Sequence, residues 1–217
     1  SAAKISTQEI DRILTNYTEQ QLSQAILEFR NDAAHQHLWV RLPDRTLVFD
    51  AASSESIGQS IWFNLTTSVE DFGHYRAKDL VWCYDKWLVG DSDEPATGYL
   101  TDQVSSHFGE IVRWEFSTIM LYNQSRGALI HELELVAITG RNQFGTDPRM
   151  SASYSVDGET WSQDKTIRVG YQGDRTRRLV WLQQGSMTNW RIQRFRGDSG
   201  AFVSFLRLEA TLEALSV

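Results

Sequence analysis

The chain has 217 residues, 41% hydrophobic and 23% charged, with a formal net charge of −7. That content can fill a substantial core, in one large domain or two small ones, and excludes a wholly disordered chain. The lone cysteine, Cys83, excludes an internal disulfide; no apolar run approaches the ~20 residues of a membrane helix and no signal segment is present, so a soluble protein of a reducing compartment is expected. A start at Ser1 rather than Met fits a processed product or a piece of something longer.

The charge is divided. Residues 1–108 hold 8 Lys and Arg against 16 Asp and Glu, a net of −8, whereas residues 109–217 hold 13 against 12, a net of +1. An open nucleic-acid-binding surface carries a basic excess, which the acidic first half lacks. Eight tryptophans against three prolines favour aromatic-rich β-structure.

Two helices open the chain. Ser6 and Glu9 have capping-box spacing, and Ile10, Ile13, Leu14 and Tyr17 follow on one helical face. Thr18 and Gln21 repeat the signal, and Leu22, Ala25, Ile26 and Phe29 are spaced for a longer second helix. Residues 1–36 therefore read as a helical linker or docking segment.

From His37 the period changes to two. Leu38, Val40 and Leu42 alternate with Trp39 and Arg41, Pro43-Asp44-Arg45 turns the chain, and Thr46 to Asp50 returns. Leu80 to Tyr84 and Trp87 to Asp91 form a second hairpin. Setting Trp39 beside Trp82 and Phe49-Asp50 beside Gly90-Asp91 gives offsets of 43 and 41 residues, the size of a propeller blade. Ile61 to Phe63 and Gly98 to Leu100 serve as outer strands. Residues 37–108 thus form two propeller-like blades of an incomplete propeller, the rest lying on absent sequence or another chain; two ordinary hairpins in one sheet are the alternative.

Residues 109–217 read as an antiparallel β-sandwich. Its strands are Ile111 to Phe116, Leu129 to Ala137, Met150 to Tyr154, Ile167 to Val169, Arg178 to Leu182, Trp190 to Phe195 and Ala201 to Glu209. The fold class is mainly β: two blades after a short helical segment, then a sandwich.

Several motifs could carry chemistry. Gly197-Asp198-Ser199-Gly200 copies a serine-protease nucleophile segment, but no protease-like framework surrounds any of the five histidines, so a glycine-rich turn is expected. His35 and His37 could share a metal on one side of an extended segment; no third ligand of suitable spacing accompanies them and Cys83 is isolated, so no metal site is assigned. Asn16, Asn64 and Asn123 head glycosylation triplets that mean little without a secretory signal. Ser155, Asp157, Gly158, Thr160 and Trp161 resemble the Asp-box of sialidases, one residue shorter, and a similar turn of discoidin-like sandwiches; both uses are structural. Arg168, Arg175, Arg177, Arg178, Arg191, Arg194 and Arg196 cluster with Asp174 as the one acid in their interval. On strands they would line a face opposite Trp181, Trp190 and Phe195, suited to phosphate or an acidic protein surface, or simply a solvated face.

In this order the chain resembles the C-terminal portion of the packaged-DNA stabilisation, or tail hub, family of short-tailed lambdoid phages. The resemblance runs through Thr18 to Leu22, Phe49-Asp50, Trp62, Arg76, Leu88 to Asp91, Gly98 to Leu100, His131 to Leu135 and Asp147-Pro148. It continues through Tyr154-Ser155, Asp157-Gly158, Thr160 to Ser162, Gly170, Gly173, Arg178, Val180-Trp181, Gly185 and Arg191. A single glycine before Glu159 and the details of the last strand depart from the family pattern.

The resemblance implies a structural virion protein with no catalytic residue, cofactor or metal. It implies a hexameric ring on the adaptor below the portal, receiving the tail needle and supporting tailspikes, with DNA retained behind the plug and later passing through unbound. It implies no membrane partner and a place in the virion tail, after assembly in the bacterial host cytoplasm. A carbohydrate-binding, discoidin-like sandwich is the alternative, with Trp39, Trp82 and Trp87 as exposed aromatics. A sialidase-like glycosidase is weaker, because no catalytic set accompanies the turn.

Overall fold

A computed structural model describes residues 4–123, 126–198 and 200–215. The chain divides into two compact units, residues 1–102 and 103–217.

In the first unit, α1 (Gln8–Thr15) starts where the Thr7 side chain accepts the Ile10 N–H, and α2 (Glu19–Leu22) starts with a reciprocal Thr18–Gln21 capping box. The second helix is a single turn. Residues expected to continue it form strand β1 (Ile26–Asp32), which pairs with β2 (His35–Arg41). Ile26 and Phe29 fit helical spacing, but β1 gains seven paired positions along β2, and tertiary pairing overrides so weak a local preference.

The antiparallel order continues through β3 (Thr46–Asp50) and β4 (Ile61–Leu65), making a four-stranded meander of blade type. Between them, Asp50 caps α3 (Ala51–Ile57), which ends at Gly58 in the left-handed region. Ile10 of α1 buries against Leu42 and Leu47, with Ile13, Leu14, Tyr17, Val40 and Trp62 packed around them. The opposite sheet face carries Trp39, whose ring meets Tyr75 edge-on at 5.4 Å. There Arg41 is ion-paired with Glu28 and donates to the carbonyls of Tyr75 and Ala77, while Glu28 accepts the Leu80 N–H, tying the first sheet to the second.

That second sheet is β5 (Ala77–Cys83), β6 (Lys86–Asp91) and β7 (Thr97–Tyr99). Its register corrects the expected alignment. Val81 pairs with Leu88 as Val40 pairs with Leu47, so the offset is 41 on both strands and Trp82 does not correspond to Trp39. A register shift between Lys78 and Val81, with Asp79 at φ 56°, moves the β5 offset only from 40 (Ala77 against His37) to 41, so the tryptophan match at 43 is out of register. The environments agree: Trp39 is 2% exposed and Trp82 57%. The sugar-binding alternative therefore lacks one of its three aromatics.

In the second unit all seven expected strands form, with an eighth, β9, of two residues. The strands are β8 (Arg113–Ser117), β9 (Leu121–Tyr122), β10 (Ala128–Ile138), β11 (Arg149–Ser155), β12 (Lys165–Arg168), β13 (Leu179–Met187), β14 (Trp190–Asp198) and β15 (Ser204–Ala214). One sheet is β13-β10-β15; the other is β12-β11-β14-β8, with β9 also on β14. Leu135, Leu179 and Trp181 of the first sheet pack with Met150, Ala152 and Phe195 of the second. Burying each of the larger side chains contributes about 1.5–3 kcal/mol.

Gly197 lies opposite Trp114, where a Cβ would come within 2.5 Å of the indole ring. Gly197→Ala is accordingly expected to destabilise the sandwich by about 1–3 kcal/mol. A lower urea midpoint at unchanged slope checks this; an unchanged midpoint contradicts it.

Candidate functional site

The seven arginines do not share one face. Strand β14 alternates Arg191, Gln193 and Phe195 inward with Arg194 and Arg196 outward. Arg191 is 0% exposed: Nη1 donates to the Gln184 carbonyl and Nη2 to Gln193 Oε1, both at 2.7 Å, and the guanidinium lies 3.8 Å from the Tyr154 ring centre. Burial pushes its pKa down to about 10. The expected solvent face loses Arg191 for a reason legible in the sequence, because it shares parity with Phe195.

The others divide further. Arg194 lies 3.9 Å over Trp161 and donates to Ser153 Oγ, and Arg196 is ion-paired with Asp164. Arg168 faces Asp147 at 3.3 Å. Arg178 is bound by Glu134 and by Glu132 at 3.2 Å, and its pKa is raised chiefly by the Glu134 hydrogen bonds. Arg175 and Arg177 are exposed between β12 and β13, with no ion pair among the described residues. Their loop is held by the Gly173 N–H donating to the Gly140 carbonyl at 2.9 Å, which brings Arg141 to the same end of the sandwich. Arg141 is 34 residues from Arg175 in sequence, and nothing local to either signals the approach.

The turn after β11 is locked by its own side chains. Asp157 accepts the N–H groups of Glu159 and Thr160 at 2.9 and 2.8 Å and the Thr160 hydroxyl; Ser155 Oγ accepts from Gly158, whose φ is 81°. The hydrogen bonds from Thr160 hold the Asp157 carboxyl well below the usual range. Both carboxylate oxygens of Asp157 are thus engaged within the turn. Trp161 sits under Arg194, half-buried. Of the protease-like string, Ser199 lies outside the described residues; Asp198 accepts the Gly200 N–H through Oδ1 and the Ala201 N–H through its carbonyl, which is turn geometry.

The two blades place an aspartate at the same position, with different partners. In the second, Asp91 receives Arg76 in a buried two-point pair: Nε to Oδ1 at 3.0 Å and Nη2 to Oδ2 at 2.5 Å. In the first, Asp50 lies opposite His37 in the β2–β3 register, with His35 two residues along. Asp50 Oδ2 is 2.6 Å from His35 Nδ1 and 3.8 Å from His37 Nε2. Burial alone would raise the Asp50 pKa, but hydrogen bonds from Ser53, His35 and Gln36 outweigh it and hold the carboxyl well below the usual range. The third donor judged missing from the His35–His37 pair therefore comes from the returning strand of the hairpin.

Blade-type antiparallel sheets joined by side-chain clamps, followed by two further sheets packed face to face, define a protein of the β-propeller and β-sandwich class. A β-propeller family profile described as Bacteriophage P22 Gp10 matches residues 1–105, and a β-sandwich profile of the same description matches residues 113–213. The chain belongs to this family. It is similar to the tail hub protein gp10 of Salmonella phage P22, at 26% identity over 196 residues, covering 90% of this chain and 39% of that protein. The chain thus spans well under half the length of the curated relative it matches.

Proposed function

We propose that the chain is a non-catalytic structural component of a tail hub in a phage virion. The observation that carries this reading is the succession of matches to a P22 Gp10 propeller and a P22 Gp10 sandwich, together with similarity to a protein named a tail hub. In its finer form the chain takes its place in a hexameric ring below the portal and adaptor, helps close the DNA channel, and supports the tail needle and tailspikes. An acidic first half suits a channel wall, since attraction to phosphate would slow the passage of DNA. Free Arg175 and Arg177 suit docking onto an acidic neighbour, including the acidic half of the next subunit.

Mass photometry of the chain, alone and mixed with its phage adaptor ring, tests the reading. Joining the adaptor in ring stoichiometry is expected; a monomer that never joins overturns it. Reversing Arg175 and Arg177 to Glu should slow association at least tenfold at low salt and much less at high salt. Unchanged association would remove those two residues from the interface.

A further inference from the structure

We propose that His35, His37 and Asp50 form a binding site for a divalent transition cation of the zinc class, seated between β2 and β3 of the first blade. The three donor atoms lie within 4.8 Å of one another. Residues two apart on a strand face the same side, and residues opposite in register share that side, so the hairpin itself places both imidazoles and the carboxylate together.

The donor set fits this cation class. Two imidazoles with one carboxylate suit zinc and its late first-row neighbours, whereas calcium and magnesium take oxygen ligands. Four-coordinate zinc, at about 2.0–2.1 Å per nitrogen or oxygen, holds its ligands roughly 3.3 Å apart. The 2.6 Å contact must open and the 3.8 Å contact close, each by well under 1 Å. The His35 side chain, 52% exposed, can rotate to open the first contact, and the second closes by a shift of about 0.5 Å between the His37 ring and the Asp50 carboxylate.

The surroundings are those of a supported site. Asp50, with its side chain 5% exposed, is oriented by the Ser53 N–H at 3.3 Å, the Ser53 hydroxyl at 2.5 Å and the Gln36 N–H at 3.4 Å. Phe63 of β4 stands edge-on to the His37 ring at 5.6 Å, and the His35 ring stacks on His37 at 5.6 Å and 22°. Three protein donors leave one position for water, reached from the exposed His35 side. A bound cation would pin β2 to β3 and the start of α3. The site rests on the blade's own residues, whatever the chain's role in a tail.

The test uses the tag-free chain, stripped with chelator and equilibrated with Zn²⁺, with bound metal measured by mass spectrometry. One equivalent of zinc is expected, with a melting temperature raised by Zn²⁺ and unmoved by equal Mg²⁺ or Ca²⁺. His35→Gln and His37→Gln should each weaken binding at least tenfold. Asp50→Asn, which can still cap α3, should do the same with the far-UV spectrum intact. Two results overturn the site: no stoichiometric uptake by the native chain, or uptake unchanged in both histidine variants, which would put the cation elsewhere.

Discussion

Arg191→Ala is expected to cost the sandwich about 3–5 kcal/mol, the largest loss of any single truncation in the second unit. The guanidinium is fully buried and has no carboxylate among its hydrogen-bond partners. It is held instead by the Gln184 carbonyl, by Gln193 Oε1 and by the face of Tyr154. Gln193 in turn donates to the Ser153 carbonyl at 2.8 Å, so one network joins β13, β14 and β11. Alanine would strand two acceptors away from water and leave a cavity under Tyr154. Methionine fills the space and removes a charge whose desolvation is costly, so Arg191→Met should lose less than half as much. Calorimetry of the sandwich transition ranks the variants. An alanine variant within about 1 kcal/mol of the native chain would mean that the network does not hold the sheets together.

Alternation along β14 contains this result, since Arg191, Gln193 and Phe195 share parity; a run of arginines reads as a surface only when that parity is set aside. Burial alternates clearly along β10 and β14 but not along β8, β12 or β15, so the seven sandwich strands were legible chiefly from β-favouring residues between turn signals. Strand β9 was not, because two residues, Leu121 and Tyr122, carry no period. Strand β1 was misread because Leu22, Ala25, Ile26 and Phe29 match a helical face, and only pairing with β2 decides between the two periods.

The site on the first blade was half legible. His35 and His37 stand out, but Asp50 lies 13 residues past His37. It becomes their neighbour only when the turn at Pro43 to Arg45 is used to pair the strands, which sets His37 opposite Asp50. The same register logic corrects the repeat: the aspartates at 50 and 91 correspond at an offset of 41, while the tryptophan match at 43 sets Trp82 two residues out of that register. Loop-borne features such as the approach of Arg141 to Arg175 depend on a contact between distant turns that no local pattern encodes.

Breaking the Arg76–Asp91 pair should be the most damaging change in the first unit. Both side chains are withdrawn from water, at 10% and 1% exposure, and Asp91 also accepts the Asp93 N–H at 3.0 Å. The Arg76 hydrogen bonds lower the Asp91 carboxyl to about 2. A carboxyl depressed in the folded state contributes stability above its ordinary pKa of about 4 and loses it as pH falls towards 2, because the unfolded chain takes up the proton first. Arg76→Met leaves a buried carboxylate unpaired and should lower the melting temperature of this unit by roughly 10–20 °C at neutral pH. It should also flatten the fall in stability between about pH 4 and pH 2, since the carboxyl no longer has its depressing partner. Replacing both partners, as Arg76→Met with Asp91→Leu, removes the unpaired charge and should recover much of the loss. Melting curves of the three proteins across that pH range distinguish the outcomes. A double variant no better than Arg76→Met would place the stability in the contacts of Arg76 with the loop, including Asp93 Oδ2 at 3.4 Å, and not in the pair.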